Sequence, residues 1–239
     1  MLASLVIISL IFLFLFKRSR KNSLVKAKLG ELERSALQAQ MNPHFIFNSL
    51  NSIQSYIANN ENERANRFLA KFSRLIRAML NNSRANKITL QEEIDSLRLY
   101  LELEKMRFKE KFDFDIVIDD EIFPNDVMLP PLLIQPYLEN AIIHGLAQKR
   151  SQGKINLFYI MDGNHLHVTV TDNGIGIEAA KKRSQNETSL HKSVGMSITQ
   201  KRLELLDGSQ RNKMVTVKEV KDRLGEVIGN QVDVKICVV

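Results

Sequence analysis

A long heptad repeat near the start of the chain constrains its fold more than any other feature. Gaps alternating between four and three residues run through Val25, Leu29, Leu32, Ala36, Ala39, Pro43, Ile46, Leu50, Ile53 and Ile57. Such spacing places apolar and small side chains along one seam of an α-helix. A seam of this kind needs a partner helix to cover it, so the repeat predicts a helical bundle.

A second amphipathic stretch follows a turn marked by Asn59, Asn60 and Asn62. Its apolar stripe comprises Ala65, Phe68, Leu69, Phe72, Leu75, Ile76, Met79 and Leu80. Two such helices form a hairpin, and one hairpin alone leaves much of its seam uncovered. We therefore predict that residues 22–88 form a homodimer, in which two hairpins make a four-helix bundle.

The N-terminal residues 2–16 are uncharged and strongly apolar. As a helix they would reach about 22 Å, less than the ~30 Å of a bilayer core, so we expect the segment to extend upstream. A signal peptide would carry its positive charges before the apolar run. Here the basic residues follow it, as Lys17, Arg18, Arg20, Lys21, Lys26 and Lys28. This order predicts a transmembrane segment and basic flank at residues 1–21, with the rest of the chain at the cytoplasmic face of the inner membrane.

The same basic cluster accounts for most of the net charge of +7. Without it the chain is almost neutral, so direct binding to nucleic acid is not indicated. A single cysteine, Cys237, excludes an internal disulfide and suits a reducing compartment.

Helix signals continue into the second half of the chain. Thr89 and Glu92 have the spacing of a capping box, which predicts a linker helix over residues 89–109. Pro130 and Pro131 are expected to open another helix that runs to His144 and stops at Gly145.

Strand periodicity also appears in this half. Apolar residues alternate from Phe112 to Ile118, and later strand-like runs occur at 154–161, 165–171, 214–220 and 231–239. Helices between such strands predict an α/β sandwich, with a mixed sheet covered on one face, over residues 110–239. The chain as a whole is therefore predicted to be of the α+β class.

A histidine stands beside the proline that interrupts the first helix. Pro43 leaves one helical carbonyl without its partner, which costs a few kcal/mol, so a kink here needs a reason. His44 lies one residue off the seam, with Asn48 one turn further along the same face. A neutral imidazole at an exposed edge is a competent nucleophile that another domain can reach.

The string Asn42-Pro43-His44-Phe45-Ile46-Phe47-Asn48 resembles the histidine box of the LytS/YehU-like sensor histidine kinases. The resemblance extends from about Glu33 to Val239. It implies that His44 is the phosphoacceptor and that Asn48 helps water attack the phosphorylated partner protein. Many histidine kinases have an acidic residue where this chain has Phe45, so no local general base is assigned.

The helix predicted after Pro131 carries a polar face. Ile134, Leu138, Ala141 and Ile142 mark its buried stripe, whereas Asn140 and His144 share the opposite side. The string resembles the N-box of the family that includes gyrase-type ATPases. That resemblance implies that Asn140 binds Mg²⁺ and that Glu139 and His144 lie near the phosphates of ATP. Few protein ligands suffice for Mg²⁺, because this hard cation keeps several waters and needs only one or two protein oxygens.

Asp172 follows a predicted strand and precedes two glycines, Gly174 and Gly176. Glycines allow a close approach of the backbone, and a carboxylate accepts a hydrogen bond from an amine. The pattern resembles the G1 box, which implies that Asp172 reads adenine. Residues 193–198 resemble the G2 box, with Gly195 in place and Ser197 where a second glycine is usual. The polar stretch before it is expected to be a mobile ATP lid.

These features predict a protein-histidine kinase of a two-component system. By resemblance it would autophosphorylate His44 from ATP and pass the phosphoryl group to an aspartate of a response regulator, a LytTR-type transcription factor. Two alternatives stay open, a dimeric pseudokinase that only binds a partner and a gyrase-type ATPase without a histidine substrate.

Overall fold

A computed structural model describes residues 43–147, 149, 151–179 and 214–238. The chain divides into two compact units, Met1–Ile46 and Phe47–Val239. Of the first unit, only the opening turn of a helix is described. Within the described residues no helix is both long and apolar enough to span a bilayer. The predicted transmembrane segment and half of the ten heptad-seam positions lie outside these residues.

Two helices and the predicted turn between them begin the described chain. Helix α1 covers Pro43–Ala58 and helix α2 covers Asn62–Asn82. Asn60 has a positive φ of 61° in the connecting turn, a conformation that asparagine tolerates better than most residues. The stripe predicted for α2 is partly buried, since Ala65, Phe68, Leu75 and Met79 are covered. Leu69 and Leu80 remain exposed on α2.

The linker helix α3 covers Leu90–Arg107 and begins as predicted. The Thr89 side chain accepts from the Glu92 N–H at 3.2 Å, and the Thr89 N–H donates to Glu92 Oε2 at 2.8 Å. This reciprocal capping box fixes the first turn. Ile94, Leu97 and Leu101 are buried along one side of the helix.

Helix α3 supports both preceding helices. Asn82 on α2 donates to Ser96 on α3 at 3.3 Å in a buried contact. On α1, the Tyr56 hydroxyl donates to the Met106 carbonyl at 2.8 Å, and its ring lies 6.1 Å from that of Phe68. The hairpin is thus stabilised partly by the linker helix, which periodicity did not indicate.

A five-stranded mixed sheet forms the second half of the chain. Its strands are β2 Phe112–Ile118, β4 Gly153–Asp162, β5 His165–Asp172, β6 Val215–Lys221 and β7 Val227–Cys237, in the order β2-β4-β5-β7-β6. Only β2 and β4 are parallel, and the other neighbours are antiparallel. Alternate residues of β4 and β5 are buried, whereas Phe158 and Ile160 on the opposite face are exposed. The predicted α/β sandwich, covered on one face, is confirmed.

A two-stranded ribbon was not predicted. Strand β1 (Ile88–Thr89) pairs antiparallel with β3 (Met128–Leu129). Two residues are too short to show an alternating pattern, so periodicity cannot reveal such strands. The ribbon joins the start of α3 to the segment that leads into the next helix.

The helix expected after Pro130 and Pro131 is shorter and of a different kind. Helix α4 covers Gln135–Asn140 and continues as a π-helix over Ala141–Leu146. The chain before it turns instead, because Leu132 has a positive φ of 61°. Gly145, predicted to stop the helix, lies inside the π-helix. The predicted buried stripe of Ile134, Leu138, Ala141 and Ile142 is confirmed.

Candidate functional site: a buried carboxylate between a strand end and a π-helix

Asp172 ends strand β5, and its carboxylate is nearly covered, with 9% of the residue exposed. Its Oδ1 accepts from the Gly174 N–H at 2.8 Å. The Asn230 side chain on β7 donates through Nδ2 to Oδ1 at 3.1 Å and to Oδ2 at 3.3 Å. The sheet register sets this pairing, since Asn230 lies directly opposite Asp172. The carboxylate is therefore fixed in one orientation.

Two influences oppose each other at this carboxyl group. Burial raises the pKa of Asp172 above its ordinary value of 3.8, because desolvation disfavours the charged form. The hydrogen bonds from Gly174 and Asn230 and the nearby charge of Lys149 each lower the pKa, but burial has the largest effect. A buried carboxylate held by these hydrogen bonds is suited to accept another from a neutral donor such as an amine.

Two glycines allow the π-helix to approach the Asp172 turn. A Cβ on Gly145 would lie 2.9 Å from Asp172 Oδ1. A Cβ on Gly174 would lie 2.5 Å from the Cα of Gly145, closer than any real contact of this kind. The Ile175 N–H also donates to the Gly145 carbonyl, at 3.4 Å. Gly145 is thus required for close packing rather than for ending a helix.

Further backbone positions around Asp172 admit only glycine. Gly229 has a φ of 159°, and a Cβ there would lie 1.8 Å from the Asp172 carbonyl oxygen. Gly176 has a φ of 87°, in the region that side chains disfavour, and a Cβ would meet Val227 at 2.7 Å. The turn after β5 is therefore packed tightly against both β7 and the π-helix.

Asn173 and Lys149 form hydrogen bonds on the other side of this turn. Asn173 Oδ1 accepts from the Lys154 N–H at 2.8 Å, and the Asn173 N–H donates to the Lys154 carbonyl at 3.2 Å. The Lys149 ammonium donates to the Asn173 carbonyl at 2.5 Å. A positive charge consequently lies beside the predicted nucleotide site.

The polar residues of α4 precede the π-helix. Glu139 accepts from Gln135 Nε2 at 2.9 Å, and Asn140 Nδ2 donates to the Pro136 carbonyl at 2.8 Å. Glu139, Asn140 and His144 are all partly exposed. Because the donor end of the Asn140 amide is used within the helix, its oxygen is the end available to a cation.

Comparison with known proteins agrees with both halves of this description. Residues 32–112 match the histidine kinase family model, and residues 126–235 match that of the histidine kinase-, DNA gyrase B- and HSP90-like ATPases. The sensor protein LytS of Staphylococcus epidermidis is 36% identical over 167 residues, which are 70% of this chain and 28% of that protein. The sensor histidine kinase/phosphatase LytS of Staphylococcus aureus is 36% identical over 178 residues, 74% of this chain and 30% of that one.

The chain belongs to the LytS-like sensor histidine kinases. It spans less than a third of the length of these two relatives. The histidine kinase domain of a blue-light activated histidine kinase from Erythrobacter litoralis aligns with a TM-score of 0.45 and 19% identity, over 70% of this chain and 74% of that one.

The structure brings several predicted site residues of this LytS-like chain together. Asp172 and Gly174 contact each other, and both lie against Gly145 of the π-helix, which continues the helix of Glu139 and Asn140. His144 is the neighbour of Gly145 in the same π-helix.

Other predicted site residues belong to α1 or to the undescribed part of the chain. His44 is exposed and Asn48 half-exposed on α1. Gly195, Ser197 and most of the predicted ATP lid, the polar residues 178–194, are outside the described residues. Within the part of the chain that is described, no cluster of three or more metal-ligating side chains occurs.

Two residues at the Asp172 turn were missed from the sequence. Asn230 was not identified because its role depends on the register of β5 and β7, which are 58 positions apart at this pair. The predicted final strand began at Gln231, one residue after Asn230, so it left Asn230 out. Lys149 follows the predicted helix without any motif of its own, so no local signal distinguished it from a solvated lysine.

Proposed function

We propose that this chain is the kinase portion of a sensor protein that transfers the γ-phosphoryl group of ATP to His44. The observation that carries the proposal is the fixed, buried carboxylate of Asp172, packed against the helix that contains Asn140. A single oriented acceptor beside a glycine turn suits the exocyclic amine of adenine. Guanine presents an oxygen at that position, which Asp172 would repel.

Residues of the adjoining helix are suited to the triphosphate. The Asn140 oxygen and the Glu139 carboxylate lie one after the other on α4. Such a donor pair fits Mg²⁺, which keeps several waters and takes one or two protein oxygens. Mg²⁺, when bound, would neutralise charge on the β- and γ-phosphates. His144 would add a donor near the same end of the nucleotide, whereas Lys149 lies beside Asp172 at the proposed adenine end. Gly174, Gly176, Gly195 and Ser197 would line the approach of the nucleotide.

In the transfer step an imidazole nitrogen of His44 attacks the γ-phosphorus. The bond from that phosphorus to the bridging oxygen of the β-phosphate breaks, and ADP leaves with the electron pair. The imidazole N–H proton passes to solvent. Exposure of His44 supports this role, because the nucleophile must reach a nucleotide bound to another part of the protein.

The finer assignments follow from the same proposal. The phosphoryl group would pass from His44 to an aspartate of a response regulator, of the LytTR type. Asn48, one turn away, would orient water for dephosphorylation of that regulator, because an amide positions water but is a poor base. Residues 1–21 would anchor a homodimer in the inner membrane, with a four-helix bundle built from residues 22–88.

Phosphorylation with labelled ATP and Mg²⁺ tests the proposed function directly. The label on the wild-type chain should be acid-labile and stable to base, as expected for a phosphoramidate. His44→Gln removes the accepting nitrogen without touching the Asp172 turn, so labelling should disappear while ATP affinity stays within about twofold. His165→Gln, a half-exposed histidine on β5, is the matched control and should label normally.

Two results would contradict the proposal. Acid-stable label, or full labelling of His44→Gln, would exclude His44 as the acceptor. ATP binding or hydrolysis without any labelling would favour the pseudokinase or the plain ATPase.

A further inference from the structure

The linker helix contains a buried carboxylate that the proposed chemistry does not use. Glu93 on α3 is 1% exposed. Burying a carboxylate is costly unless hydrogen bonds replace its water. Its Oε2 accepts from the backbone N–H of Leu132 at 3.1 Å, across 39 positions of sequence. A helix does not need a buried carboxylate for its own stability. The contact between Glu93 and Leu132 therefore calls for a structural explanation.

The partner of Glu93 is in an unusual conformation. Leu132 has a φ of 61°, which is rare for a branched side chain and persists only where the surroundings enforce it. Leu132 is itself buried, at 8% exposure. It stands three positions before Gln135, where α4 begins. The Glu93 carboxylate therefore holds the strained turn from which the Asn140 helix starts.

Additional contacts join the first turn of α3 to the same segment. The Leu90 N–H donates to the Val127 carbonyl at 2.8 Å, and the Gln91 N–H donates to the Pro124 carbonyl at 3.1 Å. Strands β1 and β3 pair directly beside these bonds, since β1 ends at Thr89 and β3 begins at Met128. The start of α3 and the approach to α4 are thus one hydrogen-bonded assembly.

We propose that Glu93 is a positioning residue that couples the linker helix to the nucleotide site, by holding the Leu132 turn that sets where α4 begins. The inference rests on the proposed function for the identity of the nucleotide. A displacement of α3 would move the acceptor of the Leu132 N–H, and the Glu139 and Asn140 side chains would move with α4.

The electrostatic surroundings of two buried tyrosines agree with this coupling. The Tyr159 side chain on β4 is 1% exposed, and its pKa is raised by burial and further by the negative charge of Glu93. Tyr100 on α3 is also buried, and its pKa is raised by burial, then by Glu104 and by Glu139 of α4. Glu93 and Tyr100 of the linker helix thus interact electrostatically with a residue of the sheet and with Glu139 of α4.

Amide hydrogen exchange of the full 239-residue chain in detergent, without nucleotide, tests the positioning role. Glu93→Leu removes both acceptor oxygens, and Glu93→Gln keeps one neutral acceptor of similar shape. Asp95→Asn alters an exposed carboxylate of the same helix and is the matched control. Exchange over residues 132–146 should accelerate about tenfold in Glu93→Leu, less in Glu93→Gln and not at all in Asp95→Asn. Strands β5 and β7 should keep their protection.

Unchanged exchange over residues 132–146 in Glu93→Leu would overturn the inference. Equal acceleration throughout the sheet would also overturn it, because Glu93 would then only stabilise the fold.

Affinity for Mg²⁺-ATP supplies the second readout. Glu93→Leu should weaken it by about tenfold, with partial recovery in Glu93→Gln. Local acceleration of exchange without any loss of affinity would contradict the coupling. Failure of the wild-type chain to bind ATP would instead refute the proposed function, and the exchange pattern would still decide the role of Glu93.

Discussion

At the scale of single residues, Asp172 shows how a side chain obtains a role from its surroundings. Its position after a strand and before two glycines was enough to single it out from the sequence. Its two hydrogen bonds from Asn230 were not predictable, because they depend on strands that meet only in the folded sheet. Recognition of a motif therefore located the acceptor but not the group that orients it.

Replacement of Asp172 by asparagine should reduce ATP affinity by about tenfold to a hundredfold. The carboxylate faces donors on Gly174 and Asn230, so Asp172→Asn must turn an NH₂ group toward one of them or toward adenine. A buried mismatch of this kind costs about 1–3 kcal/mol. Titration calorimetry with ATP measures the change, and Asp120→Asn, at an exposed position, is the control. Equal affinities for the wild type and Asp172→Asn would exclude Asp172 from adenine recognition.

The raised pKa of Asp172 predicts a pH dependence of base selection. Only the ionised carboxylate is a full acceptor for the adenine amine, and burial shifts its protonation to a pH above 3.8. Preference for ATP over inosine triphosphate, which lacks the amine, should therefore shrink as the pH falls toward this raised pKa. Comparing the two nucleotides cancels the titration of their identical phosphates. A ratio that does not change with pH, or the same pH trend in Asp172→Asn, would contradict this assignment.

At the scale of elements, predictions succeeded where the determining contacts are local. The capping box of Thr89 and Glu92 starts α3 as expected, since both groups lie within one turn. The prediction for the helix after Pro131 was wrong in its first residue and in its helix type. Leu132 adopts a positive φ beside Glu93, a contact across 39 positions that no local pattern encodes. The π-helix likewise accompanies the packing of Gly145 against Gly174, two residues from different elements.

Gly174→Ala should separate the π-helix from the Asp172 turn. The new methyl group would lie 2.5 Å from the Gly145 Cα, and backbone cannot move aside as a flexible side chain does. Overpacking of this kind typically costs about 1–3 kcal/mol, so both thermal stability and ATP affinity should fall. Gly225→Ala is the control, because its Cβ meets open space and only its φ of 87° is unfavourable. That variant should lose some stability but keep its ATP affinity. Unaltered nucleotide binding in Gly174→Ala would show that the close approach is not needed for the site.

At the scale of the whole molecule, several apolar side chains of α1 and α2 are exposed in the part of the chain that the structure describes. Phe47, Leu50 and Ile57 on α1 are exposed by 67%, 49% and 56%. Leu50 and Ile57 belong to the heptad seam, seven positions apart. On α2, Phe68 and Leu75 are fully buried, whereas Leu69 and Leu80 are exposed by 46% and 39%. Seam periodicity identifies an apolar face correctly, but it does not show how much of that face the same chain covers.

We expect the proposed homodimer to depend on the exposed seam of α1. Each buried Leu or Ile contributes about 1.5–3 kcal/mol, and a dimer would bury two copies of each. Leu50→Glu combined with Ile57→Glu should therefore raise the dissociation constant at least about a hundredfold. Ser55→Glu adds a charge at an exposed position roughly 140° around the helix from Leu50, so it should leave association unchanged. Sedimentation velocity of a chain lacking residues 1–21, at micromolar concentration, measures all three proteins. A folded wild-type monomer would show that this seam does not join two chains. A dimer that tolerates both glutamates would show the same, because each charge buried at a symmetric interface would face its own copy.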